Sequence, residues 1–176
     1  IEKNVRVPDP VLNDIRSMIA AHHTGQDRLS RLIDEYGLDG FRQYCAINKD
    51  LSEQMVRGKL SRIPDGEYVS HDWVEYDGHG VAQLLPLSCR FVVAGDEATF
   101  AFEGHEQIDA FVNATPAVML GQSMTTLLCQ LLYDVPVNAG VWRPFHFDFG
   151  VPGTIVNPRE PAPTTQGHME TGMRVN

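Results

Sequence analysis

Basic residues are scarce in this chain of 176: 14 Lys and Arg stand against 23 Asp and Glu, a net charge of −9. No basic stripe is available to neutralise phosphates, which argues against nucleic-acid binding, and the same sign disfavours an anionic membrane surface. Long apolar runs are missing too. None reaches the roughly 18 residues needed to span a bilayer, and the N-terminus carries no secretory pattern. Cysteine is limited to Cys45, Cys89 and Cys129, widely spaced and with no Cys-x-x-Cys pair. They are expected to be reduced, buried thiols of a cytoplasmic protein. Three catalytic signatures are also lacking: a Gly-x-x-x-x-Gly-Lys-Ser/Thr phosphate loop, a Gly-x-Ser-x-Gly elbow and a His-Glu-x-x-His zinc helix.

What remains is an ordinary globular composition, 43% hydrophobic and 21% charged, of a length that suits one domain or slightly more. The chain opens on Ile1 and closes on Asn176 without a terminal signal. It is expected to be a piece of a longer polypeptide.

Two hydrophobic periods divide it. Residues 9 to about 34 predict a helix, with Asp9 as N-cap and Pro10 at the first helical position. Val11, Leu12, Ile15, Met18, Ile19 and His22 recur at three and four, Leu29, Leu32 and Ile33 continue the stripe, and Gly37 stops it. Residues 38 to about 62 predict a second helix with Phe41, Tyr44, Cys45, Asn48, Leu51 and Met55 on one side. The short connection predicts an antiparallel helical pair over 1–64. After Gly66 the period falls to two. Residues 68–76, 81–93 and 99–102 predict three antiparallel strands, punctuated by Tyr76-Asp-Gly-His-Gly and Ala94-Gly-Asp-Glu. Residues 116–133 predict a third helix, where Gly121 predicts close helix packing. Residues 142–149 predict a further strand, and 150–172 an ordered loop rich in Pro, Gly and Asn. The fold class is therefore α+β: a helical pair, then an antiparallel sheet with a packed helix and a long C-terminal loop over 65–176.

Several side-chain groupings invite chemistry. His22 and His23 are adjacent on a helix, about 100° apart, and do not chelate one ion easily. His71, Asp72, Asp77 and His79 mix imidazoles with carboxylates, although Asp77-Gly78 is also hairpin chemistry. Glu103-Gly-His-Glu-Gln follows a strand end, where polar clusters with glycine often line a cleft. Asn113-Ala-Thr-Pro leads into a helix N-terminus, whose free N–H groups suit an anion. Arg143, His146 and Asp148 share a strand, with His146 and Asp148 on one face. In the terminal loop Gln166, His168 and Glu170 alternate. His168, Glu170 and His146 are the expected catalytic groups, assisting proton transfer. Asn113 and Asn138, on turns that can aim amides inward, are the expected substrate contacts.

Taken in order, a series of segments resembles the hydantoinase B/oxoprolinase family. It runs Asn4-Val-Arg-Val-Pro, Asn13-Asp-Ile-Arg, Ala20-Ala, Gly25-x-x-Arg-Leu, Tyr36-Gly, Asp65-Gly-x-Tyr and Tyr76-Asp-Gly. It continues through Phe102-Glu-Gly, Val112-Asn-Ala, Val135-Pro-Val-Asn-Ala-Gly, Pro152-Gly-Thr-Ile-Val-Asn-Pro and Pro161-Ala. Two places depart from the family pattern. Ala101-Phe-Glu-Gly-His stands where the family has an acidic residue before Phe-Ser/Thr-Gly-Thr, and Gly167-His-Met-Glu-Thr where it has Gly-Asn-x-Glu-Thr.

The resemblance implies part of the catalytic B-type subunit of an ATP-dependent cyclic-amide hydrolase, opening hydantoin, 5-oxoproline or lactam rings. The corresponding subunit of an acetone or acetophenone carboxylase, or a non-catalytic assembly subunit, are the alternatives. It implies a hetero-oligomer with an A-type partner that binds ATP. It also implies a divalent metal ion in the full-length protein whose ligands lie upstream of Ile1, so that this segment supplies none.

Overall fold

The computed structural model describes residues 3–76, 82–164 and 168–174. The chain divides into two compact units, residues 1–47 and 48–176.

The first unit holds α1 (Pro8–Tyr36) and the start of α2 (Leu38–Leu60). α1 begins one residue earlier than the sequence predicts, with Val7 rather than Asp9 at the N-cap. It ends as expected on Gly37, at φ 72, whose N–H donates to the Ile33 carbonyl, a conformation that glycine adopts without strain. No residue of α1 is buried, so the packing expected of the helical pair is not accompanied by burial on this helix. On α2 the buried positions are Ser52, Val56 and Leu60, all in the second unit, and not the stripe through Tyr44 and Leu51, which are exposed.

The second unit is a four-stranded sheet in the order β1 (Gly66–Tyr76), β2 (Ala82–Ala94), β3 (Glu97–Gly104) and β4 (Phe145–Asp148). The switch to period two at Gly66 is where the first strand starts. β1, β2 and β3 form an antiparallel meander. The turn between β2 and β3 is tied down by Asp65, whose carboxylate accepts a hydrogen bond from Gly95 N at 2.8 Å. β4 lies parallel to β3, a correction to the all-antiparallel sheet expected from sequence. A parallel neighbour needs a crossover of a dozen or more residues, and residues 105–144, including α3 (Pro116–Gln130), supply it.

Strand alternation gives the sheet two unlike faces. Leu85, Leu87, Cys89 and Val93 of β2 and Ala98, Phe100 and Phe102 of β3 join one core with Val56 and Leu60 of α2 and Met119 and Met124 of α3. Parallel pairing brings aromatic rings of β3 and β4 side by side. Phe100 stacks on Phe147 at 5.4 Å and Phe102 on Phe149 at 6.0 Å, with ring planes within 6° and 10°. Such offset pairs contribute about 0.5–1.5 kcal/mol beyond burial.

Three further expectations change. Gly121 faces open space, and the close approach falls on Gly172, where a Cβ would press on Gln122 of α3. Gly172 belongs to α4 (His168–Arg174), a helix at the end of the segment predicted as loop. It is docked by the buried Thr171 hydroxyl, which donates to the Val112 carbonyl. The strand expected over 142–149 shortens to β4, preceded by a 3-10 turn at Ala139–Trp142. Of the cysteines, Cys89 is buried, Cys45 half-buried and Cys129 exposed, so the expectation of three buried thiols holds for one. Burial pushes the Cys89 thiol up to about 12.

Phe102 is 1% exposed and stacks on both Phe100 and Phe149. Phe102→Ala is predicted to cost about 3–5 kcal/mol. Chemical denaturation measures it, and an unchanged midpoint would contradict this account of the core.

Candidate functional site

The two Asn residues singled out from sequence are built into the fold as backbone clamps. Asn113 is fully buried. Its Nδ2 donates to the carbonyls of Ile108, Ala110 and Pro163 at 2.8–2.9 Å, and its Oδ1 accepts from Ile108 N at 3.2 Å. Asn138 uses Nδ2 on Ser52 Oγ at 2.7 Å and on the Asn48 carbonyl at 3.2 Å, while Oδ1 accepts from Gly140 N at 2.8 Å. Both amides hold loops together in this structure, and their expected role as substrate contacts stays a proposal. The turn holding Asn113 leads to Pro116 as predicted, but Thr115, the N-cap of α3, makes no side-chain cap hydrogen bond.

Of the expected catalytic residues, Glu170 and His146 are not brought together. His146 is on β4, where Nε2 meets Glu97 Oε2 at 3.0 Å. Asp148 shares its face as predicted but caps Gly150 N at 2.9 Å. His168 opens α4, and Glu170 on the same helix pairs with Arg174 at 2.9 Å. Among the described residues no hydrogen bond or ion pair joins Glu170 to His146. Asp77, His79 and Gln166 lie outside the described residues.

His146 belongs instead to a charged network along α2. Arg57 reaches Glu53 at 2.9 Å, Glu97 at 3.0 Å and Asp96 at 3.2 Å. Arg143 reaches Asp50 at 2.7 Å and Glu53 at 2.8 Å. Hydrogen bonds from Arg143 and then Arg57 hold the Glu53 carboxyl below the usual carboxylate range. Those from His146 and then Arg57 do the same for Glu97. The geometry is structural: it ties α2 to β3 and to the segment entering β4.

Open polar space lies on the other face of the sheet. His71, Ser88 and Glu103 are register partners across β1, β2 and β3, and Arg90, Ala101 and Asp148 form the neighbouring row. Two adjoining hollows follow these rows. One, of about 260 Å³, is bounded by Arg90, Glu103, Asp148, Gly150 and Thr154. The other, of about 300 Å³, is bounded by His71, Ser88, Glu103 and His105. They share Glu103 and Gly104. Glycine is required at two points of the rim: a Cβ on Gly104 would press on Ile155 and Val156, and one on Gly150 would meet the Phe102 carbonyl at 2.6 Å.

This cleft is the candidate site. The sequence run Glu103-Gly-His-Glu-Gln pointed to it. Arg90 was missed, and the period-two pattern of β2 was the available signal, since it places Arg90 and Ser88 on one face. Among the described residues no three His, Cys, Asp or Glu side chains gather as a metal-binding group. Nor is any helix among these residues long and apolar enough to cross a membrane.

Comparison with known proteins gives a consistent result. The family described as Hydantoinase B/oxoprolinase matches residues 1–176. The beta chain of the caprolactamase of Pseudomonas jessenii is 30% identical over 150 residues, covering 85% of this chain and 26% of that one. The B component of a putative D-/L-hydantoinase of Pseudomonas sp. (strain NS671) is 28% identical, covering 93% and 29%. In the crystal structure of ATP-dependent caprolactamase from Pseudomonas jessenii, one chain superposes with TM-score 0.88 at 29% identity, over 97% of this chain and 30% of that chain. The chain thus spans less than a third of the length of these relatives.

Two outcomes are expected of the clamps and the charged network. Asn113→Ala leaves three carbonyls without their buried donor and is predicted to cost about 1–3 kcal/mol in denaturant unfolding; an undiminished midpoint would show that the clamp contributes nothing. Glu53 and Glu97 titrate lower in the folded chain than unfolded, so their stabilisation is full above the ordinary carboxylate range and is lost as pH falls through their lowered values. The unfolding midpoint should fall on acidification, and less steeply in the Glu53→Gln/Glu97→Gln double variant. Identical pH dependence in both proteins would contradict this.

Proposed function

The chain belongs to the hydantoinase B/oxoprolinase family, and on that premise we propose that it is part of the B-type subunit of an ATP-dependent cyclic-amide hydrolase. The observation that carries this is the unbroken family match across all 176 residues, joined to the close likeness of fold to a caprolactamase chain. The substrate class is a small cyclic amide: a lactam, a hydantoin or 5-oxoproline.

The work is divided. An A-type partner holds ATP and activates the amide oxygen by phosphoryl transfer. The B-type subunit completes ring opening, in the cytoplasm. A divalent ion, where the full-length protein holds one, would polarise the carbonyl or a water, and residues outside the described ones would bind it. What this chain supplies is a rigid frame and a polar cleft. Asn138 fixes α2 against the turn before β4, and Asn113 fixes the segment after β3 against residue 163. His168 and Glu170 on α4 and His146 on β4 remain proposed as groups acting from the edges of this frame once the partner is in place.

Two measurements test the reading. The 176-residue chain alone should show no ATP turnover. Assembled with its partner, the full-length protein should couple ATP consumption to opening of a lactam, hydantoin or oxoproline ring. ATP turnover by the isolated chain, or an assembled enzyme that only carboxylates a ketone in the presence of bicarbonate, would overturn it.

A further inference from the structure

We infer that His105 is the proton acceptor of the cleft on the outer face of the sheet, a role that rests on the proposed ring-opening reaction. Four observations converge on this residue. Its backbone is fixed on both sides: His105 N donates to the Pro86 carbonyl at 2.8 Å, and its own carbonyl accepts from Ile155 N at 2.9 Å. Its ring is fixed as well, because Nδ1 lies 2.8 Å from the Glu106 carbonyl oxygen. A carbonyl only accepts, so Nδ1 must carry a proton. In the neutral ring Nε2 is then the bare nitrogen, and it has no hydrogen-bond partner among the described residues. Finally, the side chain borders the hollow of about 300 Å³ together with His71, Ser88 and Glu103.

An imidazole with one nitrogen locked as donor and the other free is the arrangement that a general base requires. The carbonyl of Glu106 does the orienting that a carboxylate does in other proton-transfer sites. The groups facing the ring are His71 from β1, Ser88 from β2 and Glu103 from β3. Arg90 and Asp148 face the adjoining hollow.

The amide that enters this step carries the phosphoryl group on its oxygen, with its nitrogen protonated and doubly bonded to carbon. A water molecule adds its oxygen to that carbon, the C=N π pair goes to nitrogen, and His105 Nε2 takes the released proton and becomes imidazolium, with Nδ1–H still on the Glu106 carbonyl. As the C–N bond breaks, its electron pair goes to nitrogen, which takes the proton from Nε2. The added hydroxyl oxygen forms the new C=O and gives up its own proton to solvent, leaving an acyl phosphate. A second water splits this into carboxylate and inorganic phosphate, and His105 ends neutral, in its starting tautomer.

Two experiments decide this. In the protein labelled with ¹⁵N-histidine, the imidazole spectrum of His105 should show the proton on Nδ1 and a bare Nε2 above its titration; a proton on Nε2 instead would overturn the assignment without any assay. In the assembled enzyme, His105→Asn keeps an amide N–H at the position of Nδ1 toward the Glu106 carbonyl but offers no base. It should lower kcat by about 10²–10⁴ with KM little changed and the acid limb of the pH–rate profile abolished. An equal denaturation midpoint shows that the variant is folded. Wild-type kcat and an unaltered pH profile would overturn the role of His105 while leaving the ring-opening function intact. A wild-type enzyme that opens no cyclic amide would overturn the function, and the role of His105 with it.

Discussion

The second unit depends on one close approach between backbones. Gly140 lies so near the α2 backbone that a Cβ there would fall on the Lys49 carbonyl. Asn138 keeps it there, bonding Ser52 Oγ and the Asn48 carbonyl on one side and Gly140 N on the other. The buried Ser52 hydroxyl completes the joint by donating to the Pro136 carbonyl at 2.8 Å. Every polar group at this contact has a partner, so the usual penalty for burying them is avoided. From this joint the chain turns through Ala139–Trp142 and enters β4 alongside β3. The stacking of Phe100 on Phe147, the ion pairs of Arg143 and the place of Asp148 in the outer row follow from that placement.

The sequence showed the parts more clearly than the joints. The change of hydrophobic period at Gly66, the glycine stop at Gly37 and the proline start at Pro116 are local signals, and the elements they predict are present. The parallel direction of β4 was not legible, because Phe145-His-Phe-Asp alternates in the same way whichever neighbour it pairs with. Nor was α4, since Gly172 lies within it and glycine weakens a helix taken alone; its docking on α3 and Val112 is tertiary. Gly121 and Gly172 carry the same lesson. Composition says that glycine permits an approach, and only the fold says where the approach occurs.

The candidate site was half legible for a related reason. Polar residues in turns look alike whether they face inward to backbone or outward to ligand. Asn113 and Asn138 have the residue type and turn setting of substrate contacts, yet in the fold their amides bond backbone groups and the Ser52 hydroxyl. His105 stood in a run marked as cleft-lining, but its value lies in which ring nitrogen is occupied, and a sequence does not contain that. Its departure from the family's Phe-Ser/Thr-Gly-Thr run gains meaning from the same geometry: an imidazole stands at the rim where the pattern has a hydroxyl.

The parallel strand also fixes an order of events. β1, β2 and β3 are separated by only a few residues in sequence and can zip together early, at little cost in chain entropy. β4 finds its partner only after some forty residues of crossover have been gathered in. The entropic cost of closing such a loop grows only logarithmically, by about 0.6 kcal/mol per doubling, but it must be met before the ring stack rewards it. Until then Phe100 and Phe102 of β3 lack their β4 neighbours, and the edge of β3 is an unpaired template open to other chains. The late docking of four residues therefore governs both how fast this unit matures and how long it is exposed to aggregation while doing so.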